Sequence, residues 1–144
     1  MIIRQATRED AEAIAEIYNE AVINTVAIWN DDTVSVENRI AWMEVHWDKD
    51  YPVFVATLDD EVAGDATFSD FRDFDGFRYT VENSIYVHPS FQGRGIGGTL
   101  LQVTIDAARE AGSTFWWQRS TAATRGRLRC TKSMVSSVLG YCLR

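Results

Sequence analysis

The sequence has little that would staple, ligate or anchor it. Its two cysteines, Cys130 and Cys142, have neither the spacing of a zinc site nor the number that a disulfide framework needs. Two histidines, His46 and His88, with no His/Cys cluster, argue against a metal site. No apolar run approaches the roughly 18 residues of a membrane span, and no charged-then-apolar leader opens the chain. The expectation is a cytoplasmic protein with no metal and no membrane partner. Two prolines and no low-complexity tract leave an ordered domain, and 144 residues at 46% hydrophobic suffice for one core, not two.

Acidic residues are missing from the end of the chain. The net charge is −7, yet every Asp and Glu lies at or before Glu110, while residues 113–144 hold Arg119, Arg125, Arg127, Arg129, Lys132 and Arg144. A basic arm on an acidic body raises the possibility of nucleic-acid binding. The acidic body, and the lack of interleaved aromatics beyond Trp116-Trp117, weigh against it.

What is present is a regular alternation of element signals. Met1–Ala6 reads as a short strand. Thr7-Arg8-Glu9-Asp10 has the form of a capping box, and Ile14, Ile17, Tyr18, Ala21 and Val22 recur at helical spacing over Asp10–Val22. Ser35 is a second N-cap signal, followed by Val36, Ile40, Met43 and Trp47 on one helical face. Pro52–Leu58 and Val62–Phe68 read as strands joined at Asp59-Asp60-Glu61, and Arg78–His88 as a third long strand. A helix then runs to about Ala111, with Ile96, Leu100, Val103 and Ala107 inward and Gly112 as its C-cap. The order β-α-α-β-β-β-α predicts an α/β (α+β) domain with a mixed, mainly antiparallel sheet flanked by helices. At their positions Tyr18 is expected in the core, and His46 and His88 at the surface.

The segment richest in chemistry is Gln92-Gly93-Arg94-Gly95-Ile96-Gly97, between a strand and a helix. Small residues there let backbone N–H groups approach an anion, and the helix start adds a positive dipole end. Glycine-rich turns without any ligand are also common. No Gly-Lys-Ser/Thr follows, which excludes a Walker loop, and the preceding hairpin disfavours a Rossmann fingerprint.

With Val87 five residues ahead of it, this segment resembles the acetyl-CoA signature of GNAT N-acetyltransferases. Ala27-Ile28-Trp29-Asn30, Asn38-Arg39-Ile40-Ala41-Trp42, Tyr51-Pro52-Val53, Phe74-Asp75-Gly76-Phe77-Arg78 and Thr80-Val81-Glu82-Asn83-Ser84-Ile85-Tyr86-Val87 are similar to the phosphinothricin/methionine sulfoximine N-acetyltransferase branch. The resemblance runs from about Ile2 to Gly112. It implies the acyl-CoA N-acyltransferase fold, acetyl-CoA as co-substrate, a small amino-acid-like amine as substrate, and a homodimer. Ile85, Tyr86 and Val87 would then border the pantetheine arm, with the Val87 N–H on the thioester oxygen. Gln92 and Gly93, Arg94, Gly95, Ile96, Gly97 and Gly98 would hold the pyrophosphate, although Arg94 fits a solvated loop equally. Arg72, Asp73, Phe74, Thr80, Val81 and Glu82 match the amino-acid pocket. An Arg there suits a substrate carboxylate, and Glu82 suits the base that accepts the amine proton. Trp29 fits a pocket wall or a core position.

After Gly112 the resemblance stops. The family continues with a strand, a helix bearing a coenzyme-contacting Asn, and two more strands. Here Ser113-Thr114-Phe115-Trp116-Trp117-Gln118-Arg119 leads into an Arg-, Ser- and Thr-rich stretch. The expected division is a core over 1–112 and an atypical or incomplete segment over 113–144. Shifting the reading frame back by one base from Thr114, within codon wobble, can restore a family-like strand, Asn, helix and Gly-Phe turn. A frameshift is the resulting hypothesis. Sequencing the DNA across the Gly112 codon tests it: a frame that permits no such re-reading sinks the idea. A truncated domain that binds acyl-CoA without turnover is the alternative to an active transferase.

Overall fold

The computed structural model describes residues 1–25, 28, 32–113 and 115–118, the last four by backbone only. Trp29 and the basic stretch from Arg119 onward lie outside the described residues, as does the frameshift hypothesis for most of its length. The elements are β1 (Ile2–Gln5), α1 (Ala11–Asn24), α2 (Val36–Asp48), β2 (Val53–Leu58), β3 (Glu61–Asp70), β4 (Thr80–Val87), α3 (Ile96–Glu110) and β5 (Phe115–Gln118). They form one five-stranded sheet in the order β1-β2-β3-β4-β5. The first three pairings are antiparallel and β4–β5 is parallel.

Local chemistry accounts for most boundaries. A 3-10 turn, Arg8–Asp10, precedes α1, and Asp10 reaches back to accept from the Thr7 N–H at 2.8 Å. The same carboxylate receives both terminal nitrogens of Arg4 at 2.7 Å, tying β1 to the start of α1. Ser35 caps α2 by accepting from the Asn38 N–H. Asp59 and Asp60 both take positive φ, 53° and 65°, the geometry a two-residue hairpin turn demands. At the end of α3, Gly112 (φ +82°) donates to Arg109 and Ser113 to Ala108, the paired bonds of a Schellman motif.

Two apolar layers sandwich the sheet. Ile14 and Met43 from α1 and α2 pack with Val53 and Val55. On the opposite face Ile96 and Leu100 from α3 pack with Ala56 and Ala66. The buried stripe of α3 is Ile96, Leu100, Leu101, Thr104, Ile105 and Ala108, whereas Val103 and Ala107 are half-buried. The expected face was therefore offset. Leu101, Thr104, Ile105 and Ala108 follow the i, i+3, i+4, i+7 pattern as well, and only the position of the sheet selects between two adjacent stripes. Phe115–Gln118, which resembled nothing in sequence, pairs with Thr80–Asn83; an aromatic-rich segment suits a strand beside an open sheet edge.

Candidate active site

β4 carries the site because its backbone and side chains serve different directions. At its two ends the Phe71 N–H donates to Thr80 (3.2 Å) and the His88 N–H donates to Ala63 (2.9 Å). An antiparallel ladder alternates, so the even-numbered residues of β4 bond to β3 and the odd-numbered ones turn their N–H and C=O groups away from it. Val81 and Asn83 face β5 in this way. Ile85 and Val87 face the same side, beyond the register that β5 shares with Thr80–Asn83 among the described residues.

Side chains divide by face. Glu82, Ser84 and Tyr86 lie opposite Ser69, Thr67 and Asp65 of β3, on the α1/α2 side. Ile85 and Val87 pack on the α3 side with Ile96 and Leu100. Val81 is buried there with Phe68 and Ala108, so the structure separates its side chain from those of Thr80 and Glu82 and leaves only its backbone beside them. Thr80 and Glu82 are half-buried. Arg72, Asp73 and Phe74 are exposed in the β3–β4 connection, where Arg72 lies 5.2 Å over the Phe71 ring and Phe71 meets Phe77 edge-on. Asn83, 3% exposed, keeps a buried Oδ1 with no hydrogen-bond partner.

Beyond Val87, a 3-10 turn (Pro89–Phe91) leads to Gln92, whose side-chain amide reaches the Val87 carbonyl at 3.4 Å. Gly93 and Gly95 adopt positive φ, +78° and +80°, and a Cβ at either would meet nothing within 4 Å. The turn is thus strained for any other residue yet open on its outer side. Gly95 is the N-cap of α3, so the N–H groups of Ile96, Gly97 and Gly98 have no acceptor within the helix. Gly97 is 3.6 Å, from an ideal Cβ, to Val87, which places this amide cluster at the end of β4. Arg94 stacks over Phe91 at 5.5 Å. Gly64, paired with Val87, is required by proximity: a Cβ there would stand 2.7 Å from the Tyr86 carbonyl oxygen.

Three residues at the site gave no clear signal in the sequence. Asp65 on β3, 3% exposed, has an Oδ1 without a partner, and burial pushes its carboxyl up to about 7 against the pull of Arg39. Arg39 on α2 is 9% exposed and lies 4.6 Å over the Tyr18 ring and 4.8 Å over the Trp42 ring. Tyr18, expected in the core, is half-buried and meets Tyr86 edge-on at 5.8 Å. The available signal was Asp65 itself, an acid in phase with inward-facing Thr67 in the middle of a mainly apolar stretch. The two histidines are also less exposed than expected. His46 packs on Trp42 with Nδ1 2.8 Å from the Trp42 carbonyl, and burial lowers its pKa. His88 is half-buried and accepts from the Ser90 N–H.

Among the described residues no group of three His, Cys, Asp or Glu side chains is arranged to hold a metal, and no helix is long and apolar enough to cross a membrane. The profile of the Acetyltransferase (GNAT) family matches residues 12–129. The chain belongs to this family. This GNAT chain is 55% identical over 112 residues to the L-amino acid N-acyltransferase MnaT of Escherichia coli, covering 78% of the chain and 65% of that protein. It is 54% identical over 112 residues to an L-methionine sulfoximine/L-methionine sulfone acetyltransferase of Salmonella typhimurium, covering 78% and 66%. The chain thus spans just under two thirds of the length of these relatives. Among solved structures, yncA of Salmonella typhimurium, determined with its cofactor acetyl-CoA, superposes with a TM-score of 0.90 at 47% identity, over 92% of this chain and 77% of that one. A GNAT phosphinothricin acetyltransferase from Sinorhizobium meliloti, in complex with acetyl-CoA, gives a TM-score of 0.88 at 28% identity, over 92% and 72%.

Proposed function

We propose that this GNAT chain transfers the acetyl group of acetyl-CoA to the amino group of a small amino-acid-like substrate of the methionine sulfoximine, methionine sulfone or phosphinothricin type. The observation that carries the reading is the shared geometry at the end of β4. Val87, at the end of β4, lies beside the amide cluster of Gly93–Gly98 at the start of α3, its side chain 3.6 Å from an ideal Cβ on Gly97. Relatives bearing acetyltransferase names support the same reading.

In this reading acetyl-CoA supplies an activated acyl thioester, and the residues do the rest. The strand Ile85-Tyr86-Val87 hydrogen-bonds the pantetheine arm, and the Val87 N–H donates to the thioester oxygen as negative charge develops. The turn from Gln92 and the N–H groups from Gly93 to Gly98 hold the pyrophosphate, with Arg94 beside them. Arg72, Asp73, Phe74 and Thr80 border the amine substrate, Val81 contributes backbone, and Arg72 offers a donor pair to an anionic group of the substrate. Glu82, acting through water, accepts the proton that the amine loses as its nitrogen bonds to the acyl carbon, and a proton from the same water-linked relay passes to the departing coenzyme A thiolate. Exposed Phe74, Phe77 and Tyr79 beside the pocket supply apolar surface for a second copy, consistent with a homodimer. A cytoplasmic location belongs to the same proposal.

A second reading, a GNAT domain that holds acyl-CoA without turnover, is favoured by the atypical composition after Gly112, where no acidic residue occurs. Thiol release from acetyl-CoA, with and without methionine sulfoximine, separates the two. Amine-dependent release establishes the transferase. Absence of release, with a melting temperature still raised by acetyl-CoA, establishes the binding remnant.

A further inference from the structure

We propose that Asp65 and Arg39 together form the subsite for the charged head of an α-amino-acid substrate, the ammonium on the Asp65 carboxylate and the carboxylate on the Arg39 guanidinium. The inference rests on the acetyltransferase reading for its substrate class, and on the geometry of the α1/α2 face for its place.

Both groups are buried and both are incompletely paired. Arg39 gives two of its five N–H donors to Asn38 Oδ1, from Nε at 3.3 Å and Nη2 at 2.8 Å. Its other donors have no acceptor among the described residues. Asp65 Oδ1 has no donor. The two feel each other's charge, yet among the described residues the direct ion pairs join other partners. A buried acceptor left without a donor is costly for a fold alone, and a guanidinium with spare donors on the same face attracts it without an ion pair joining them. One ligand carrying a cation next to an anion satisfies both. The rings of Tyr18 and Trp42, 4.6 and 4.8 Å from the guanidinium carbon, hold the guanidinium by its faces and leave its edge donors for other partners.

Position along the strands favours this pair over Arg72 for the head group. Asp65 lies opposite Tyr86, one residue before Val87, where the thioester oxygen is placed in the proposed mechanism. Arg72 follows Phe71, which still pairs with Thr80, six strand residues or roughly 20 Å further on. The ammonium and carboxylate of an α-amino acid share one carbon, so a head whose nitrogen lies near Val87 has its carboxylate within reach of Arg39 and not of Arg72. Arg72 is left for the polar oxygens at the other end of the substrate. The near-neutral titration of Asp65 fits a group that must receive an ammonium and release a neutral amine.

The test is calorimetric binding to the full chain without acetyl-CoA, using L-methionine sulfone, its N-acetyl derivative (no ammonium) and its methyl ester (no carboxylate). Asp65→Asn is expected to weaken binding of the parent amino acid at least tenfold and to leave the N-acetyl derivative unaffected. Arg39→Lys is expected to weaken the parent similarly and to spare the ester. Equal losses for parent and derivative, no loss at all, or failure of the unaltered chain to bind the amino acid each overturn the proposal. A fold-independent check uses the unaltered chain: the Asp65 side-chain ¹³C resonance should move with L-methionine sulfone and not with the N-acetyl derivative. An unmoved resonance means that the head group does not reach Asp65, and the proposal fails. Binding that follows this pattern without thiol release would sink the transferase reading and leave the subsite standing; release with unaffected binding would do the reverse.

Discussion

Glu82, Gly64 and Asp65 show how differently single residues bear on this site. Glu82 is half-buried on the face shared with Ser84 and Tyr86. Glu82→Gln keeps the shape and removes the proton acceptor, so kcat should fall by roughly 10²- to 10⁴-fold while the stabilisation by acetyl-CoA persists. Equal loss of both would assign Glu82 to folding. Gly64→Ala forces a Cβ to within 2.7 Å of the Tyr86 carbonyl oxygen, a backbone atom that cannot step aside. A loss of about 1–3 kcal/mol is expected, read as a lower urea midpoint, together with weaker coenzyme binding. Asp65 works against stability. Its folded pKa, about 7, stands above the unfolded value, so its penalty is absent below about pH 4, grows as pH rises towards 7 and is complete above it. Asp65→Asn should therefore raise the melting temperature more at pH 8 than at pH 5. The opposite order would show that Asp65 is paired and ionised in the folded protein.

Among elements, the junction of β1 with α1 and the turn into α3 depend on electrostatics and backbone geometry in turn. Burial alone would raise the Asp10 carboxyl, but the Arg4 hydrogen bond, the Thr7 N–H and the Arg4 charge together hold it below the usual carboxylate range. A depressed pKa contributes stability above the unfolded value and loses it as pH falls through the folded one. Asp10→Asn should accordingly flatten the acid limb of the stability profile below about pH 4. An unchanged limb would refute the assignment. The α3 turn was legible as an anion cradle from its glycines, but which of them matter was not. Gly93 and Gly95 need positive φ, and Gly97 needs none. Gly95→Ala should cost about 1–2 kcal/mol and weaken acetyl-CoA binding, whereas Gly98→Ala, in the helix proper, should leave the fold intact. The strands and helices on either side were readable because each carries its own signal: Ser35 and Gly112 at helix ends, Asp59-Asp60 at the hairpin.

For the whole molecule, acetyl-CoA binding is linked to stability. At 100 times its Kd the coenzyme should stabilise the chain by about 2.7 kcal/mol, measurable as a melting shift that scales with the logarithm of concentration. No shift at millimolar acetyl-CoA would remove both the transferase and the binding-remnant readings. The sequence by itself determined the element order, the caps and turns, the glycine-rich entry to α3 and the family resemblance, because these depend on residues close together in the chain. Only the tertiary structure decided which stripe of α3 is buried, that Val81 and Glu82 point to opposite faces, and that Phe115–Gln118 lies beside β4. It also decided that Arg39, Asp65, Tyr18 and Tyr86, drawn from two helices and two strands, come together on one side of the sheet. Such a cluster has no sequence period to announce it. Its charges come together only when the sheet face and both helices have packed, and the cost of leaving them unpaired arises only once water has been excluded.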